Sequence, residues 1–446
     1  MRVNHLSRLG SLRVEADAQG LVSRSGTALV PELAVRVGLV SELSGALSGL
    51  HRRRPAHDPG RVLCDLAAML IDGGDCVSDL GALADQPDLF GQVASHSTVS
   101  RLLHALGEGE RGGLRAARAA ARERAWAQGA RPGEIVLDFD AQLVETHTEK
   151  EGAAAHRKGG FGFHPLGCWL DETGEALAGL LRPGNAGAND ADDHVTVLDA
   201  ALAQLPEDAR EDWRLLARAD TAGATHKFAR ALRERRIRFS LGYPVKEHVG
   251  AVALSLPKRR WKPALDPGGK PREGAWVAEL TDRVDLSAWP QGTRLICRKE
   301  RPHSGAQLRF TDVDGHRYQC FITDQRKRSL ARLELQHRLH ARVEDRVQEA
   351  TELGLGRLPF QALDPNENWF ELVLMAQDLL AWLRQLALSG ELSLAKPKRL
   401  RHRLLHVAGR LTRSARQRTL HLPAAWPWAR ELIAAFARVR ALPTPT

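Results

Sequence analysis

Two aspartates stand one residue apart at the end of an apolar run in "EIVLDFDAQLVETHTEKEG", residues 134–152. In an extended strand Asp138 and Asp140 point to one face, and the apolar residues beside them point to the other. A strand this apolar is expected to be buried. Two carboxylates about 4 Å apart repel by roughly 1 kcal/mol in water and roughly 4 kcal/mol at an effective dielectric constant of about 20. The arrangement therefore requires something that compensates the charge.

Two further acids are placed to join the first pair. Asp220 follows the apolar stretch "LLARA", and Glu344 follows the apolar stripe residue Val343 in "HARVEDRVQ", where Asp345 is a second candidate. If the two strands are neighbours, Asp140 and Asp220 come side by side at their carboxyl ends. Three carboxylates in one place are tolerable around divalent cations, because Mg²⁺ prefers hard oxygen ligands. Two such ions stabilise the attacking and leaving oxygens of an in-line phosphoryl displacement.

The elements that must position these acids follow one another between residues 135 and 245. Period-two apolar segments, turn residues and amphipathic stretches with acidic caps predict the order β-β-β-α-β-α-β. Three consecutive strands followed by α/β alternation predict a mixed sheet with helices on its faces. A long helix over 329–356, stopped by glycine, carries Glu344, and a second apolar helix follows it. The predicted fold class is α/β.

Changes in sequence character divide the chain into five predicted segments. The first is helical and fits either a helix-turn-helix-like DNA-binding module or any small helical bundle. The third contains four strand-like stretches joined by Gly- and Pro-containing turns. The segments are a helical DNA-binding or dimerisation region (1–130), the first part of the catalytic domain (131–245), an inserted β subdomain (246–325), the continued catalytic domain with the Glu344 helix (326–395) and a basic helical C-terminal region (396–446).

Composition restricts the class of partner. The chain has 446 residues, a net charge of +10 and a pI of about 9.7, which favours a polyanionic partner over a membrane. Residues 396–418 alone hold nine Lys or Arg, a density typical of a surface that faces phosphates. No 18-residue apolar run and no signal-peptide pattern occur, so a soluble, unexported protein is expected. Five scattered cysteines without a CxxC argue against a disulfide framework and a zinc site.

Several blocks of this chain, taken in order, resemble the ribonuclease H-like DDE insertion-sequence transposases. The resemblance is to the IS4-like group, in particular its IS 1380 branch, and it covers roughly residues 60–440. In such enzymes a β insertion separates the second Asp from the Glu. The blocks are "LDFDAQLVETHTEKEGA", "GGFGFHPLGCWLDETGEALAGLLRPGNAGAN", "RADTAGATHKF", "HARVEDRVQEATELGLGRLPF" and "NWFELVLMAQDLLAW", together with "RLRHRLLHVAGRL" and "WPW".

The resemblance implies roles for individual residues. By position, Asp140, Asp220 and Glu344 match the metal-binding acids, and Asp138 is placed behind them as a supporting or alternative ligand. It further implies two Mg²⁺ ions, for which Mn²⁺ can substitute, and a homodimer assembled on double-stranded DNA of the element ends and the target. Candidate DNA contacts near the Glu and in the basic tail are Arg338, Arg342, Lys396, Lys398, Arg399, Arg401, Arg403, Arg410 and Arg413.

The sequence departs from the IS4-like pattern around the Glu. His337 and His340 occupy the positions of the usual Tyr and Arg, and Thr351 stands seven residues after Glu344. Neighbouring arginines, among them Arg346, offer replacement phosphate contacts.

Simpler interpretations stay open beside these. Asp220 before Thr-Ala-Gly is a candidate capping residue, and a lone Glu on a helix is usually solvated. Trp369 and Trp382 lie in an apolar helix and fit the core better than base stacking. The leading hypothesis is a cytoplasmic, nucleoid-associated DNA transposase. The alternatives are a structure-specific nuclease of the same fold and a DNA-binding regulator that has lost catalysis.

Overall fold

The structure is a computed structural model that describes residues 12–50, 56–147, 149–210, 215–302, 305, 307, 312–415 and 417–445. Its helices are α1 (Leu29–Arg36), α2 (Leu39–Ala46), α3 (Pro59–Asp72), α4 (Gly81–Ala84), α5 (Pro87–Phe90), α6 (His96–Ala105), α7 (Glu108–Ala125), α8 (Ala191–Ala203), α9 (Glu207–Arg210), α10 (His226–Glu234), α11 (Glu247–Ser255), α12 (Leu330–Arg338), α13 (Val343–Ala350), α14 (Leu363–Leu386), α15 (Pro397–Leu400) and α16 (Ala429–Ala441).

The strands form three sheets. They are β1 (Leu21–Val22), β2 (Val136–Ala141), β3 (Val144–Glu145), β4 (Ala154–His156), β5 (Gly160–Phe163), β6 (Leu166–Leu170), β7 (Ala176–Leu180), β8 (Leu216–Ala219), β9 (Arg238–Tyr243), β10 (Lys262–Leu265), β11 (Pro271–Glu279), β12 (Arg294–Glu300), β13 (Arg317–Thr323), β14 (Gly409–Ser414) and β15 (Gln417–His421). The largest sheet has the order β10-β11-β12-β13-β9-β8-β2-β6-β7, and the two small sheets are β3-β5-β4 and β1-β14-β15.

Strands β2, β8 and β9 form the parallel centre of the large sheet, and their neighbours on both sides pair antiparallel. The apolar run of β2 is explained by this central place, because strands covered on both faces are apolar almost throughout. Phe139 is buried and packs edge to face on Phe228 of α10, with ring centroids 5.2 Å apart. One face of β2 thus lies beneath helices, and Asp138 and Asp140 belong to the other.

For the strands of the large sheet and helices α8 and α10, the predicted order from the first strand to β9 is confirmed, but the small sheet β3-β5-β4 and the short helix α9 were not predicted as separate elements. Strands β2, β6, β7, β8 and β9 and helices α8 and α10 fall within the stretches that the apolar patterns marked. The large mixed sheet and the many helices confirm the predicted α/β class. Trp369 and Trp382 are fully buried in α14, which confirms that they belong to the core.

The β-rich stretch between residues 246 and 325, predicted as an inserted subdomain, is joined to the large central sheet. Strands β11, β12 and β13 do not form a sheet of their own, because β13 pairs with β9 and extends the central sheet. The same stretch contains α11 and β10, which the sequence patterns did not indicate. The strand predicted over 306–315 falls largely on residues outside the described part of the chain.

The helix predicted over 329–356 is confirmed from Leu330 to Ala350, and its backbone stays helical through the 3-10 turn (Leu339–Arg342) between α12 and α13. One other prediction needs correction. The basic C-terminal region is not purely helical. Its strands β14 and β15 form a hairpin that pairs with β1 near the other end of the chain.

The N-terminal region is mostly helical, and its helix α7 is joined to α14 by buried charges. Arg118 and Arg122 on α7 contact Asp378 on α14 at 3.0 and 2.7 Å, and all three side chains are almost fully buried. Arg122 also contacts Glu175 just before β7 at 3.0 Å. Because buried charges are tolerated only when paired, the arginines of this Ala-rich helix serve packing within the protein.

No single helix in the described part of the chain is long and apolar enough to cross a membrane. The consecutive helical stretches Leu29–Arg36 and Leu39–Leu50, bent by 71°, pass the length and composition criteria only as a pair.

Candidate active site

Asp140 lies at the carboxyl end of the central strand β2 and is half buried. Burial raises the pKa of its carboxyl, and the nearby carboxylates of Asp220 and Glu344 raise it further. The backbone N–H of Ala141, which donates to Asp140 Oδ1 at 2.8 Å, and the side chain of His340 act in the opposite direction. The net result is a pKa of about 6. Two of the predicted acids, Asp220 and Glu344, therefore act electrostatically on the third, Asp140, at the end of β2.

Asp220 is the first residue beyond β8, the strand that runs parallel to β2. Its Oδ1 accepts hydrogen bonds from the N–H groups of Ala222 at 2.8 Å and Gly223 at 3.4 Å. These bonds fulfil the capping role that the sequence left open, and they fix the carboxyl at the sheet edge. The side chain is exposed, so its remaining oxygen is accessible from solvent.

Glu344 is exposed on the first turn of α13, and its neighbour Val343 is buried. Three contacts hold this helix against the sheet and α14. Thr351 Oγ1 donates to Gln142 Oε1 at 3.0 Å, Arg346 Nη2 donates to the carbonyl oxygen of Asp171 at 3.2 Å, and Gln377 Nε2 donates to the carbonyl oxygen of Arg346 at 2.9 Å. Thr351, seven residues after Glu344, thus ties the end of this helical segment to the residue after β2.

Asp138 does not face the open end of the sheet. Its two oxygens accept a bidentate pair of hydrogen bonds from Arg218 on β8, at 2.7 and 2.6 Å. His340 Nδ1, in the 3-10 turn before α13, lies 2.9 Å from Asp138 Oδ1. With its side chain 1% exposed, Asp138 is placed behind Asp140 and its charge is balanced from within the protein.

His337, the other histidine near the Glu, is a packing residue. Its ring stacks on Phe321 of β13 with centroids 4.3 Å apart, and its Nδ1 lies 3.0 Å from Ser240 Oγ. Burial and the nearby positive charges of His340 and Arg218 hold its pKa well below the ordinary value. A neutral, enclosed ring of this kind orients α12 and offers no charge to a phosphate.

The two arginines predicted to contact DNA near the Glu differ in their surroundings. Arg338 Nε contacts Glu334 at 2.8 Å, and its guanidinium also donates to the carbonyl oxygen of Leu265. The side chain of Arg342 is 51% exposed, and its contact with Asp171 is long, at 3.5 Å. Arg342 is therefore the more accessible of the two beside Glu344.

The residues of the basic tail that were predicted to contact DNA also differ in whether their side chains are bound within the protein or exposed. Arg401 is half buried and donates to the carbonyl oxygens of Leu70, Ile71 and Glu352. Arg403 lies over the ring of Trp428 at 4.6 Å, and Lys396 contacts Asp345 at 2.7 Å. Within the described part of the chain, no ion pair or hydrogen bond holds the remaining four exposed side chains, Lys398, Arg399, Arg410 and Arg413.

The donor set fits divalent cations, since Asp140, Asp220 and Glu344 offer only hard carboxylate oxygens. Their spacing is wider than a single ion requires. Among the described residues, the one trio whose ligand atoms all lie within 4.8 Å of one another is Asp75, Cys76 and Asp79. Metal–oxygen distances of about 2.0–2.1 Å and an ion separation of about 3.5–4 Å allow ligands of opposite ions to lie up to about 8 Å apart.

Sequence reasoning did not single out Arg218, which contacts Asp138 in this structure. The sequence did contain a signal: Arg218 stands two residues before Asp220, just as Asp138 stands two residues before Asp140. An arginine and an aspartate at equivalent places on neighbouring strands are a ready ion pair.

Comparison with known proteins adds the family. The model of the family described as Transposase DDE domain group 1 matches residues 5–444. No curated protein sequence matches the chain. Among solved structures, the chain is similar to one titled as the cryo-EM structure of the piggyBac transposase synaptic complex with hairpin DNA. The identity is 12%, the likeness covers 80% of this chain and 74% of that chain, and the TM-score is 0.41. Because the family match spans nearly its whole length, the chain belongs to the Transposase DDE domain group 1 family and is a DDE transposase.

Proposed function

We propose that this transposase cleaves the ends of a DNA element and joins the freed 3′-OH to target DNA by in-line phosphoryl transfer at Asp140, Asp220 and Glu344. The observation that carries the proposal is the position of Asp140, whose pKa is raised to about 6 by burial first and then by the nearby negative charges of Asp220 and Glu344. Like charges gathered at an accessible sheet edge are costly unless a cation joins them. The family of the chain supports the same reaction class.

The three acids would hold two Mg²⁺ ions, with Mn²⁺ as a substitute. When bound, such ions activate the attacking oxygen and stabilise the leaving oxygen of a phosphodiester. Asp140 contributes from the centre of the sheet, and Asp220 is held in place by two backbone N–H groups. Glu344 contributes from an exposed turn of α13, and Arg342 beside it offers positive charge to a substrate phosphate.

The strand order supports a ribonuclease H-like core. Strands β7, β6 and β2 form an antiparallel set, and β8 and β9 continue it in parallel with β2, with helices in the connections. The order of the sequence blocks supports a place in the IS4-like group, IS 1380 branch. We further propose that residues 1–130 serve DNA binding or dimerisation and that a homodimer acts on two element ends in the cytoplasm.

The exposed cations of the tail support binding to double-stranded DNA. Lys398, Arg399, Arg410 and Arg413 are solvent-accessible and available to phosphates. Contacts of this kind supply most of the sequence-independent affinity for DNA. Chemistry and binding are thereby assigned to different residues, which makes them separable by mutation.

The test measures cleavage and end binding for Asp140→Ala, Asp220→Ala and Glu344→Ala. Each variant is expected to lose cleavage of a labelled element end in Mg²⁺ while its mobility-shift affinity stays close to that of the wild type. Asp345→Ala is the matched control for Glu344→Ala, because Asp345 is the next residue and is equally exposed, but it pairs with Lys396. Cleavage that survives in any one of the three variants would remove that residue from the site.

A strand-transfer assay separates the transposase from its alternatives. A pre-cut end with a free 3′-OH is mixed with supercoiled target DNA, and joined products are expected. Hydrolysis of ends without joining would identify a nuclease of the same fold. End binding without either reaction would identify a regulator.

A further inference from the structure

An oppositely charged pair lies directly behind the carboxylates at the sheet edge. Asp138 and Arg218 are register partners on the parallel strands β2 and β8. Asp140 and Asp220 follow them by two residues each, which places them one pleat nearer the open end on the same face. The two strands thus present like charges at the edge and opposite charges one step inside.

Arg218 uses its guanidinium to join three parts of the fold. Its Nε and Nη2 donate to Asp138 on β2, and its Nη1 donates to the carbonyl oxygen of Gln336 on α12 at 2.6 Å. Nη2 also lies 3.1 Å from Asp171 Oδ1, beyond the end of β6. The side chain is 1% exposed. Its contacts therefore lie within the protein, and it does not reach a substrate.

The same pair reaches the segment that carries Glu344. Asp138 Oδ1 contacts His340 Nδ1 at 2.9 Å, four residues before Glu344. Gln336, which accepts from Arg218, lies in the last turn of α12, so the two contacts together hold the end of α12 and the first half of the 3-10 turn against the strands. The helical backbone is wound more tightly over this turn than in α12 and α13.

We propose that Arg218 is a positioning residue of this site, which holds the 3-10 turn and the start of α13 against strands β2 and β8 and so sets Glu344 opposite Asp140 and Asp220. The inference rests on the proposed function of those three acids. Planar, bidentate hydrogen bonding makes arginine suited to this role, and lysine cannot reproduce it.

Removing Arg218 is also expected to lower the stability of the whole protein, because it leaves one partner of a buried ion pair without the other. The experiment must therefore separate this loss of stability from the positioning of Glu344. Arg122 provides the comparison. It is as buried as Arg218 and pairs with Glu175 and Asp378, but it joins α7 to α14 and the start of β7. Among the described contacts of Arg122, none involves the stretch from Gln336 to Glu344.

The experiment uses the full chain with three changes: Arg218→Gln, the double variant Asp138→Asn/Arg218→Gln and the control Arg122→Gln. The double variant removes both charges at once, so it does not leave the carboxylate of Asp138 buried without its partner, as the single variant does. Backbone amide exchange is measured by mass spectrometry, and Mn²⁺ affinity is measured by calorimetry.

In the double variant, amides of residues 339–346 are expected to exchange at least about tenfold faster than in the wild type, since charge-assisted hydrogen bonds are lost. Mn²⁺ is expected to bind about 10- to 100-fold more weakly, as is usual when a group that orients a ligand is removed. Arg122→Gln is expected to lower the thermal midpoint while leaving both quantities within about twofold of the wild type.

The proposal is overturned if residues 339–346 exchange in the double variant as they do in the wild type. It is also overturned if the wild type binds Mn²⁺ and the double variant binds the ion with the same affinity. A wild type that neither binds Mn²⁺ nor cleaves DNA would defeat the proposed function instead. The exchange comparison would still decide whether Arg218 holds the turn, because it needs neither metal nor DNA.

Discussion

Arg218 Nη2 lies 2.6 Å from Asp138 Oδ2 across the parallel strands β2 and β8, and both side chains are 1% exposed. This contact explains how one buried strand can end in two aspartates. The inner carboxylate is neutralised by an arginine of the neighbouring strand. The outer one, Asp140, lies within the electrostatic influence of Asp220 and Glu344 and is the proposed ligand of a cation.

The first prediction separates the two aspartates of β2. Asp138→Asn keeps an oxygen that can accept from Arg218, so cleavage is expected to fall by about 10- to 100-fold but to stay measurable. Asp140→Asn is expected to abolish cleavage because it removes a proposed metal ligand. Single-turnover cleavage of a labelled element end measures both. An inactive Asp138→Asn beside an active Asp140→Asn would transfer the ligand role to Asp138.

The second prediction concerns a glycine behind Asp220. A Cβ at Gly242 of β9 would lie 2.6 Å from the backbone N of Thr221 and 2.8 Å from the carbonyl carbon of Asp220. Backbone atoms cannot turn aside as a side chain can, so Gly242→Ala must displace the turn that holds the carboxyl of Asp220. Cleavage is expected to fall at least about tenfold while end binding persists, since a displacement near 1 Å is costly for catalysis.

Gly250→Ala is the matched control for Gly242→Ala. It lies on α11 nearby in sequence, and an added Cβ would meet its nearest neighbour, Val245 Cγ1, at 3.9 Å, an ordinary contact. Cleavage by the Gly250 variant is expected to equal that of the wild type. Equal activity of both variants would show that the Asp220 turn tolerates movement.

The third prediction concerns the basic tail. Changing the four exposed cations Lys398, Arg399, Arg410 and Arg413 to Gln is expected to flatten the slope of log affinity against log salt by about 0.9 for each phosphate contact that is lost. Mobility shifts between about 50 and 200 mM salt measure the slope. An unchanged slope would mean that these side chains do not contact DNA.

Arg401→Gln provides the contrasting variant within the same tail. Arg401 donates to three backbone carbonyl oxygens of α3 and the segment after α13. Its removal is expected to lower the thermal midpoint and to leave the salt slope unchanged in the folded protein. A flattened slope with unaltered stability would instead place its guanidinium on DNA.

The fourth prediction is a pH dependence of stability. Burial raises the pKa of Asp65 on α3 from 3.8 to about 6, although Arg61 acts in the opposite direction. A carboxyl whose pKa is higher in the folded state binds more protons there, so its contribution to the free energy of unfolding falls as pH rises from about 4 to 6. Compared with Asp65→Asn, the wild type is expected to lose on the order of 3 kcal/mol across that range.

Denaturant unfolding at several pH values checks this prediction. The difference in unfolding free energy between the two proteins isolates Asp65, because the other titrating groups are common to both. A difference that does not change between about pH 4 and pH 7 would show that Asp65 is ionised in the folded protein throughout.

Local patterns determined most of the central sheet. The apolar runs around Leu137 and Leu216 and the amphipathic stretches between strands are one-dimensional signals, so the order from β2 to β9 could be predicted. Asp140 and Asp220 could be selected because they stand at the ends of two predicted strands, and Glu344 because it borders the apolar stripe of the following helix, and the family resemblance pointed to the same three. Local signals were weaker where tertiary contacts override them, as in the basic tail, where β14 and β15 form a hairpin that pairs with β1.

Only the tertiary structure decided which charges meet. Arg218 is 80 residues from Asp138 in the chain, and His340 is 202 residues away, yet both side chains contact Asp138. The sequence shows that a strand ends in two aspartates, but the register of its neighbour determines which of them is neutralised. The same holds for the basic residues: composition predicted a cationic tail, and packing determined that Arg401 binds carbonyl oxygens of the protein while Arg410 and Arg413 stay exposed. Burial and partner geometry fix the free energy of a charge, and neither is a property of the sequence position alone.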